Sequence, residues 1–160
     1  MAKSTASYWN PLATESRARW TPVPGLEGMV EELTLSTDPV TGEYTRLTRF
    51  HPGADTTPFG GKSHDYPEEI FIVSGRLYDE AWDLWLEAGY YASRPGGELH
   101  GPFKTEVGCV VLELSFPGRI GKQQPVLLVS PRPLDVRLLP CVRTLRQRGM
   151  CGRVCSAHVL

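Results

Sequence analysis

Residues 68–80 read EEIFIVSGRLYDE and carry the strongest strand signal in this chain of 160 residues. Residues 70–73 are all β-branched or aromatic, which favours a strand, and Gly75 indicates a turn or a bulge. The sequence GCVVLELSF at 108–116 predicts another clear strand. No helical period persists through residues 21–118, and 16 glycines with 14 prolines favour many short strands over long helices. We therefore predict an all-β fold.

The segments around this strand predict further short strands. Two strand-like runs, 29–35 and 43–50, flank the turn-forming sequence STDPVTG at 36–42, which is typical of a hairpin. His51 begins a His-Pro-Gly sequence that ends the second run. Residues 81–103 contain short strand pieces that Gly and Pro separate. The pattern predicts a single β-domain.

Composition divides the chain into three predicted parts. Residues 1–20 predict an irregular arm anchored by Trp9 and Trp20, and residues 21–118 the β-domain. Residues 119–160 form a basic tail with 8 Lys and Arg against 1 Asp, a net charge of +7, whereas the preceding part has 9 against 17 Asp and Glu, a net charge of −8. Such a tail is solvated, docks on the acidic body, or contacts an acidic partner or a nucleic acid.

Several sequence signals bear on the compartment. No stretch approaches the roughly 18 apolar residues of a membrane span. The first 20 residues lack the apolar segment of a signal peptide. The cysteines lack the layout of a disulfide framework; they are Cys109, Cys141, Cys151 and Cys155. We expect a cytoplasmic protein with no membrane contact and no nucleic-acid partner.

The alternation of side chains along the central strand places one carboxylate inside. Glu68, Ile70 and Ile72 share one face because successive side chains point to opposite faces of a strand. If the isoleucines line an interior, Glu68 lies there too. Glu69 then faces away, although a register slip of one residue would exchange the two glutamates.

Two histidines can approach this carboxylate. His64 lies four residues before Glu68, across a bend at Pro67, and His100 follows a Pro-x-Gly turn that can direct it to the same interior. Two imidazoles and a carboxylate form a facial set with open coordination positions, which suits Fe(II), with Zn, Mn, Ni or Co as alternatives. Each signal alone also fits a surface salt bridge or a turn residue, so the prediction depends on their combination.

The two segments together resemble the two motifs of the cupin superfamily. Residues 64–75 match His-x₃-Glu-x₆-Gly of the first motif. The matches to Gly-x₅-Pro-x-Gly-x₂-His of the second motif are Gly89, Pro95, Gly97 and His100. The resemblance covers residues 40–117 and is strongest to ChrR-like cupins, which also resemble acetylacetone-cleaving dioxygenases. It implies a jelly-roll β-barrel of the RmlC-like cupin type.

The resemblance implies a metal site and also shows two departures. Lys62 stands where the motif has its first histidine, and Lys104 stands where it has its final asparagine. The implied ligand set is therefore His64, Glu68 and His100. Lys62 could act as a catalytic base or hold an anionic substrate. It could equally be a loop lysine that pairs with Asp65 or with solvent.

The resemblance implies a metal-dependent enzyme acting on a small molecule, for example a dioxygenase that uses iron to cleave a dicarbonyl or a similar chelating substrate. A cupin isomerase, decarboxylase or lyase would use the metal as a Lewis acid instead. A ChrR-like sensor domain without enzymatic activity and a structural cupin that binds little metal are the other hypotheses. We expect a homodimer.

The remaining candidates have weaker support. We expect His51 to be structural. Seven residues could form the wall of a pocket or belong to the core: Tyr66, Tyr78, Trp82, Trp85, Tyr91, Arg94 and Phe103. Four residues of the tail include enough ligand types for zinc, but their spacing matches no zinc finger: Cys141, Cys151, Cys155 and His158.

Overall fold

The computed structural model describes residues 8–119, and these residues are almost entirely β-structure. The strands are β1 (Thr21–Pro22), β2 (Val30–Thr37), β3 (Tyr44–Phe50), β4 (Glu68–Asp79), β5 (Leu84–Glu87), β6 (Tyr91–Arg94), β7 (Phe103–Lys104) and β8 (Cys109–Ser115). Within the described range the helical segments are short 3-10 turns: Thr14–Arg19, Thr57–Phe59, Glu80–Trp82 and Pro117–Arg119. The predicted all-β fold is confirmed.

The eight strands form an antiparallel sheet in the order β1-β2-β3-β8-β4-β5, and β6 and β7 also pair with β4. The sheet does not close into a continuous ring of hydrogen-bonded strands. β2 and β3 form the predicted hairpin. β4 is the central strand because it pairs with four others. Side chains on the inner face of β4 are therefore surrounded by strands from distant parts of the sequence.

The predicted alternation along β4 is confirmed. Glu68, Ile70 and Ile72 are buried, whereas Phe71 is exposed. The register between β4 and β8 shifts just before Gly75, which has a positive φ of 74°. A Cβ atom at this position would lie only 2.0 Å from the Gly108 carbonyl oxygen. Glycine is required because no other residue combines this backbone conformation with so close an approach.

Two hydrophobic clusters lie on opposite faces of the sheet. The inner cluster contains Leu26, Val30, Phe50, Ala54, Ile70, Ile72, Leu77, Leu86, Cys109 and Val111. The outer cluster is formed by Trp20, Leu33 and Leu47, with Trp9 packed against it. The Arg49 guanidinium lies 3.8 Å from the centre of the Trp20 ring, a cation–π contact. Both tryptophans of the predicted arm thus pack in or against the outer cluster.

The basic tail from residue 120 onward, with Cys141, Cys151, Cys155 and His158, lies outside the described residues. The division into arm, β-domain and tail at residues 20 and 118 stays a prediction. Among the described residues, none of the helices has the length and apolar character needed to cross a membrane.

Candidate metal centre

The three predicted ligands come together. One ligand atom from each of His64, Glu68 and His100 lies within 4.8 Å of the other two. Glu68 is the first residue of β4, His64 lies in the loop before it, and His100 lies between β6 and β7. The Nε2 atom of His64 is 3.5 Å from Oε2 of Glu68, and the two imidazole centres are 5.2 Å apart.

Backbone hydrogen bonds hold the two histidine-bearing loops together. The Lys62 N–H donates to the His100 carbonyl at 2.8 Å, and the His100 N–H donates to the Lys62 carbonyl at 2.9 Å. The Gly97 N–H donates to the His64 carbonyl at 2.6 Å. The position of each histidine relative to the other is therefore set by main-chain contacts.

Both imidazoles are oriented by their Nδ1 atoms. Nδ1 of His64 is 2.7 Å from the Tyr66 carbonyl, and Nδ1 of His100 is 3.2 Å from the Glu98 carbonyl. A carbonyl oxygen only accepts, so each Nδ1 carries a proton, and in the neutral ring Nε2 is the nitrogen that is available to a metal. The His64 ring also stacks on Tyr66 at a centroid distance of 4.2 Å.

The donor set fits a divalent metal ion. Nε2 of His64 is buried and has no hydrogen-bond partner among the described residues. A buried, unsatisfied imidazole nitrogen is costly unless it binds something, and a metal satisfies it. Burial, reinforced by the positive charge of Arg94, lowers the pKa of His100 and favours the neutral imidazole that a metal requires.

Glu68 is held by partners that the sequence did not identify. Its Oε2 lies 3.2 Å from Nη1 of Arg94, and its Oε1 accepts a hydrogen bond of 3.1 Å from the Ser115 hydroxyl. Arg94 is itself buried, and its Nη2 lies 3.5 Å from Oδ2 of Asp79. The sequence placed Arg94 on a possible pocket wall but gave no reason to pair it with either carboxylate.

Asp79 links the far end of β4 to the loop that carries His100. Its Oδ1 accepts hydrogen bonds from the Gly101 N–H at 2.8 Å and the Ala81 N–H at 3.2 Å. Asp79 is 2% exposed, so these contacts replace its hydration almost completely. One side chain therefore fixes both the backbone beside His100 and the guanidinium that contacts Glu68.

The two lysines that depart from the cupin motifs differ in their surroundings. Lys104 pairs with Glu80, with Nζ 3.3 Å from Oε2. Lys62 is an exposed residue that lines the cavity, and it makes no ion pair with the described part of the chain. A role for Lys62 in catalysis stays a prediction.

A cavity of about 270 Å³ opens beside the three ligands. Ile70, Leu77, Val111 and Phe103 supply apolar lining, and Glu32, Arg46, Thr48 and Glu113 supply polar lining. Among the predicted wall residues, Tyr66, Arg94 and Phe103 line it, whereas Tyr78, Trp82, Trp85 and Tyr91 do not.

Two further predictions concern residues outside the site. Glu69 does not line the cavity, in agreement with its predicted outward direction. Nε2 of His51 lies 3.3 Å from Oε2 of Glu31, and His51 is not part of the cavity lining, which agrees with a structural role.

An antiparallel β-fold with two histidines and a glutamate beside a cavity fits the cupin class. The sequence model of the ChrR cupin-like domain matches residues 11–115, and the chain belongs to this family. A comparison with curated protein sequences finds no match.

Solved structures show the same fold. The chain is similar to an acetylacetone dioxygenase from Acinetobacter johnsonii, with 19% identity, a TM-score of 0.55, and coverage of 72% of this chain and 78% of that chain. An RmlC-like cupin from Shewanella frigidimarina has 15% identity and a TM-score of 0.55, and the match covers 73% of this chain and 95% of that chain. KdgF from Halomonas sp. has 20% identity and a TM-score of 0.51, and the match covers 61% of this chain and 84% of that chain. The predicted cupin jelly-roll fold is confirmed.

Proposed function

We propose that this cupin is a metal-dependent enzyme acting on a small chelating molecule, with His64, Glu68 and His100 as the metal ligands and Fe(II) as the metal. The observation that carries the proposal is the buried, unpartnered Nε2 of His64, which lies beside Glu68 and His100 at a cavity of small-molecule size. Three protein ligands leave positions open for a substrate.

The proposed reaction is the dioxygenase cleavage of a dicarbonyl. A bound Fe(II) would supply Lewis acidity toward the substrate oxygens and redox chemistry with O₂. Among the chain's own residues, Arg94 and Ser115 hold the Glu68 carboxylate, and apolar side chains form part of the cavity lining. The similarity to an acetylacetone dioxygenase favours this chemistry. Isomerase, decarboxylase or lyase chemistry at the same site is the non-oxidative alternative.

Lys62 is the proposed catalytic residue. It lines the cavity and its backbone is paired with that of His100, so its ammonium can reach an oxygen that gains negative charge during the reaction. A positive charge directed at such an oxygen contributes more in the transition state, where the negative charge develops, than in the ground state.

A sensor domain without enzymatic activity is the second candidate, and the family of the chain favours it, since the matching model describes a ChrR cupin-like domain. A sensor would bind metal at the same three residues and pass the signal to a protein partner. Turnover separates the two candidates because a sensor does not consume its ligand.

We further propose a cytoplasmic homodimer. The exposed aromatic residues Phe71 and Tyr91 lie opposite each other on β4 and β6 and offer an apolar surface for a second copy. The buried, unpaired Cys109 agrees with a reducing compartment. Sedimentation velocity of the wild type and of a Phe71→Ser variant tests the dimer, which the substitution should weaken.

The function is tested by metal analysis followed by oxygen uptake. The protein is purified without a His tag, loaded anaerobically with Fe(II), and given a panel of β-diketones while oxygen is recorded. We expect oxygen uptake in the wild type and in Glu69→Gln, and none in His100→Ala. Stoichiometric metal with no consumption of any β-diketone would favour the sensor or the non-oxidative alternatives, and absence of bound metal would refute both metal-dependent candidates.

A further inference from the structure

A second group of charged residues lies on the inner face of the sheet, beyond the metal ligands. Arg46 on β3 pairs with Glu32 on β2, with Nη1 2.9 Å from Oε1, and its Nε contacts Glu113 on β8. Arg46 and Glu113 are direct cross-strand partners, and all three residues line the cavity. We call Glu32, Arg46 and Glu113 the acidic wall.

The acidic wall and the metal ligands are close enough for one small molecule to contact both. Ile70 is the cross-strand partner of Glu113 and Glu68 that of Ser115, so Glu68 and Glu113 are diagonal neighbours on adjacent strands. Diagonal neighbours are about 7–8 Å apart at their Cα atoms. The cavity of about 270 Å³ also limits the ligand to a small molecule.

The acidic wall contains more carboxyl groups than basic groups. One guanidinium lies between two carboxylates, and the Glu113 side chain is only 12% exposed. Burial raises the pKa of Glu113, the charge of Glu68 adds to this, and Arg46 opposes it. A carboxylate in such a position gains from a further hydrogen-bond donor or cation.

Thr48 supplies an independent observation at the same place. It is 4% exposed, lines the cavity, and is the cross-strand partner of Glu32. Its side chain interacts with Glu113 and opposes the rise in the Glu113 pKa, but its hydroxyl oxygen has no partner with hydrogen-bond geometry among the described residues. A buried hydroxyl without a partner is costly, so a ligand that supplies the partner is bound more tightly.

We propose that the cavity binds a small molecule with two chelating oxygens at the metal and a hydrogen-bond donor, either a hydroxyl or a primary ammonium, directed at Glu113 and Thr48. The inference rests on the proposed function, since the chelating end requires the metal. A ligand with a carboxylate at the second end is disfavoured, because it would face two carboxylates and only one guanidinium, which is already paired.

The test uses four probes with the same 2-hydroxycarboxylate end and a different second group: lactate has a methyl group, glycerate a hydroxymethyl, isoserine an aminomethyl and tartronate a carboxylate. Their dissociation constants are measured by calorimetry at pH 8 on the zinc-loaded full chain and on its metal-free form. We expect glycerate or isoserine to bind about tenfold more tightly than lactate, as one added charge-assisted hydrogen bond predicts. Which of the two binds better tells whether the donor is a hydroxyl or an ammonium.

The decisive readout is the ratio of each dissociation constant between wild type and Glu113→Gln, because this ratio cancels the probe's own affinity for zinc. Glu113→Gln should weaken the better donor probe by about tenfold, leave lactate unchanged, and tighten tartronate. Thr48→Val is the second variant, in case Glu113→Gln does not fold, and should weaken the same donor probe. Glu69→Gln, on the outer face of β4, is the matched control and should change nothing.

The metal site and the donor-binding wall can be refuted separately. Zinc that does not bind would overturn the metal site and this inference with it. Zinc that binds while the probes bind equally with and without it would overturn chelation at the metal, on which this inference rests. Zinc binding with equal affinities for lactate, glycerate and isoserine, or ratios unchanged by Glu113→Gln and Thr48→Val, would overturn the inference and leave the metal site in place.

Discussion

Arg94→Met removes the buried guanidinium that contacts both Glu68 and Asp79 and keeps much of the aliphatic stem. Removing one partner of a buried ion pair costs about 3–5 kcal/mol, because the other charge is left uncompensated. Glu68 keeps the Ser115 hydroxyl, and Asp79 keeps two backbone N–H donors. We therefore expect the lower end of that range, a loss of about 3 kcal/mol in the free energy of unfolding.

A bound divalent metal should reduce this loss, because it supplies positive charge next to the same Glu68 carboxylate. The free energy of unfolding is measured by urea denaturation with tryptophan fluorescence, once with a chelator and once with saturating zinc. The stabilisation that zinc provides should be larger in Arg94→Met than in the wild type, since the metal replaces the missing cation.

Arg76→Met is the matched control. Arg76 pairs with Glu106, but both side chains are largely exposed, at 41% and 63%. A surface pair of this kind contributes about 0–1 kcal/mol. If Arg94→Met cost no more than Arg76→Met in the metal-free protein, Arg94 would not be the counter-charge of a buried carboxylate pair. Our account of the site would then be wrong.

Four further predictions concern the ligands, the loop lysine, the tail and pH. His64→Ala and His100→Ala should each lower bound metal well below one ion per chain, measured by elemental analysis, with circular dichroism unchanged; full occupancy would remove that residue from the site. Lys62→Met should lower turnover or substrate affinity and leave metal content unchanged, and identical kinetics would make Lys62 an ordinary loop residue. Truncation after Arg119 should leave a cooperatively unfolding domain, because the eight strands found in residues 8–119 all precede that point. Its remaining cysteine, Cys109, should resist a thiol reagent at pH 8, because burial raises its pKa to about 12; non-cooperative unfolding or rapid labelling would contradict this. Because burial lowers the pKa of His100, the unfolded chain takes up a proton before the folded one as pH falls. The metal-free protein should therefore lose stability as pH falls below the ordinary histidine pKa of about 6.5, and His100→Ala should reduce this slope.

Much of the site could be predicted from the sequence because its signals are local. The alternation of β4 placed Glu68 inside, and the two motif spacings identified both histidines. The assignment of Gly75 to a turn or bulge was also local, since only the residue type and its neighbours in the chain were needed.

The partners of these candidate ligands could not be predicted, because they depend on strand register between distant segments. Arg94 meets Glu68 because β6 pairs with β4, and Glu113 meets Arg46 because β8 pairs with β3. A shift of either pair by one residue would direct these side chains to the other face. Charged residues are expected at the surface by default, and 22% of this chain is charged. Only the burial seen in the structure distinguishes the charged residues of the site from those at the surface.

The backbone pairing of Lys62 with His100 has a consequence for engineering the site. Since the two loops are joined by main-chain N–H and carbonyl groups, the side chain at position 62 takes no part in holding them in place. Position 62 can therefore be varied while the frame around it is kept. Histidine there would offer a fourth ligand, a carboxylate would change the charge of the centre, and methionine would offer a soft donor. One barrel of this family could thus be tuned among metals by exchanging a single residue.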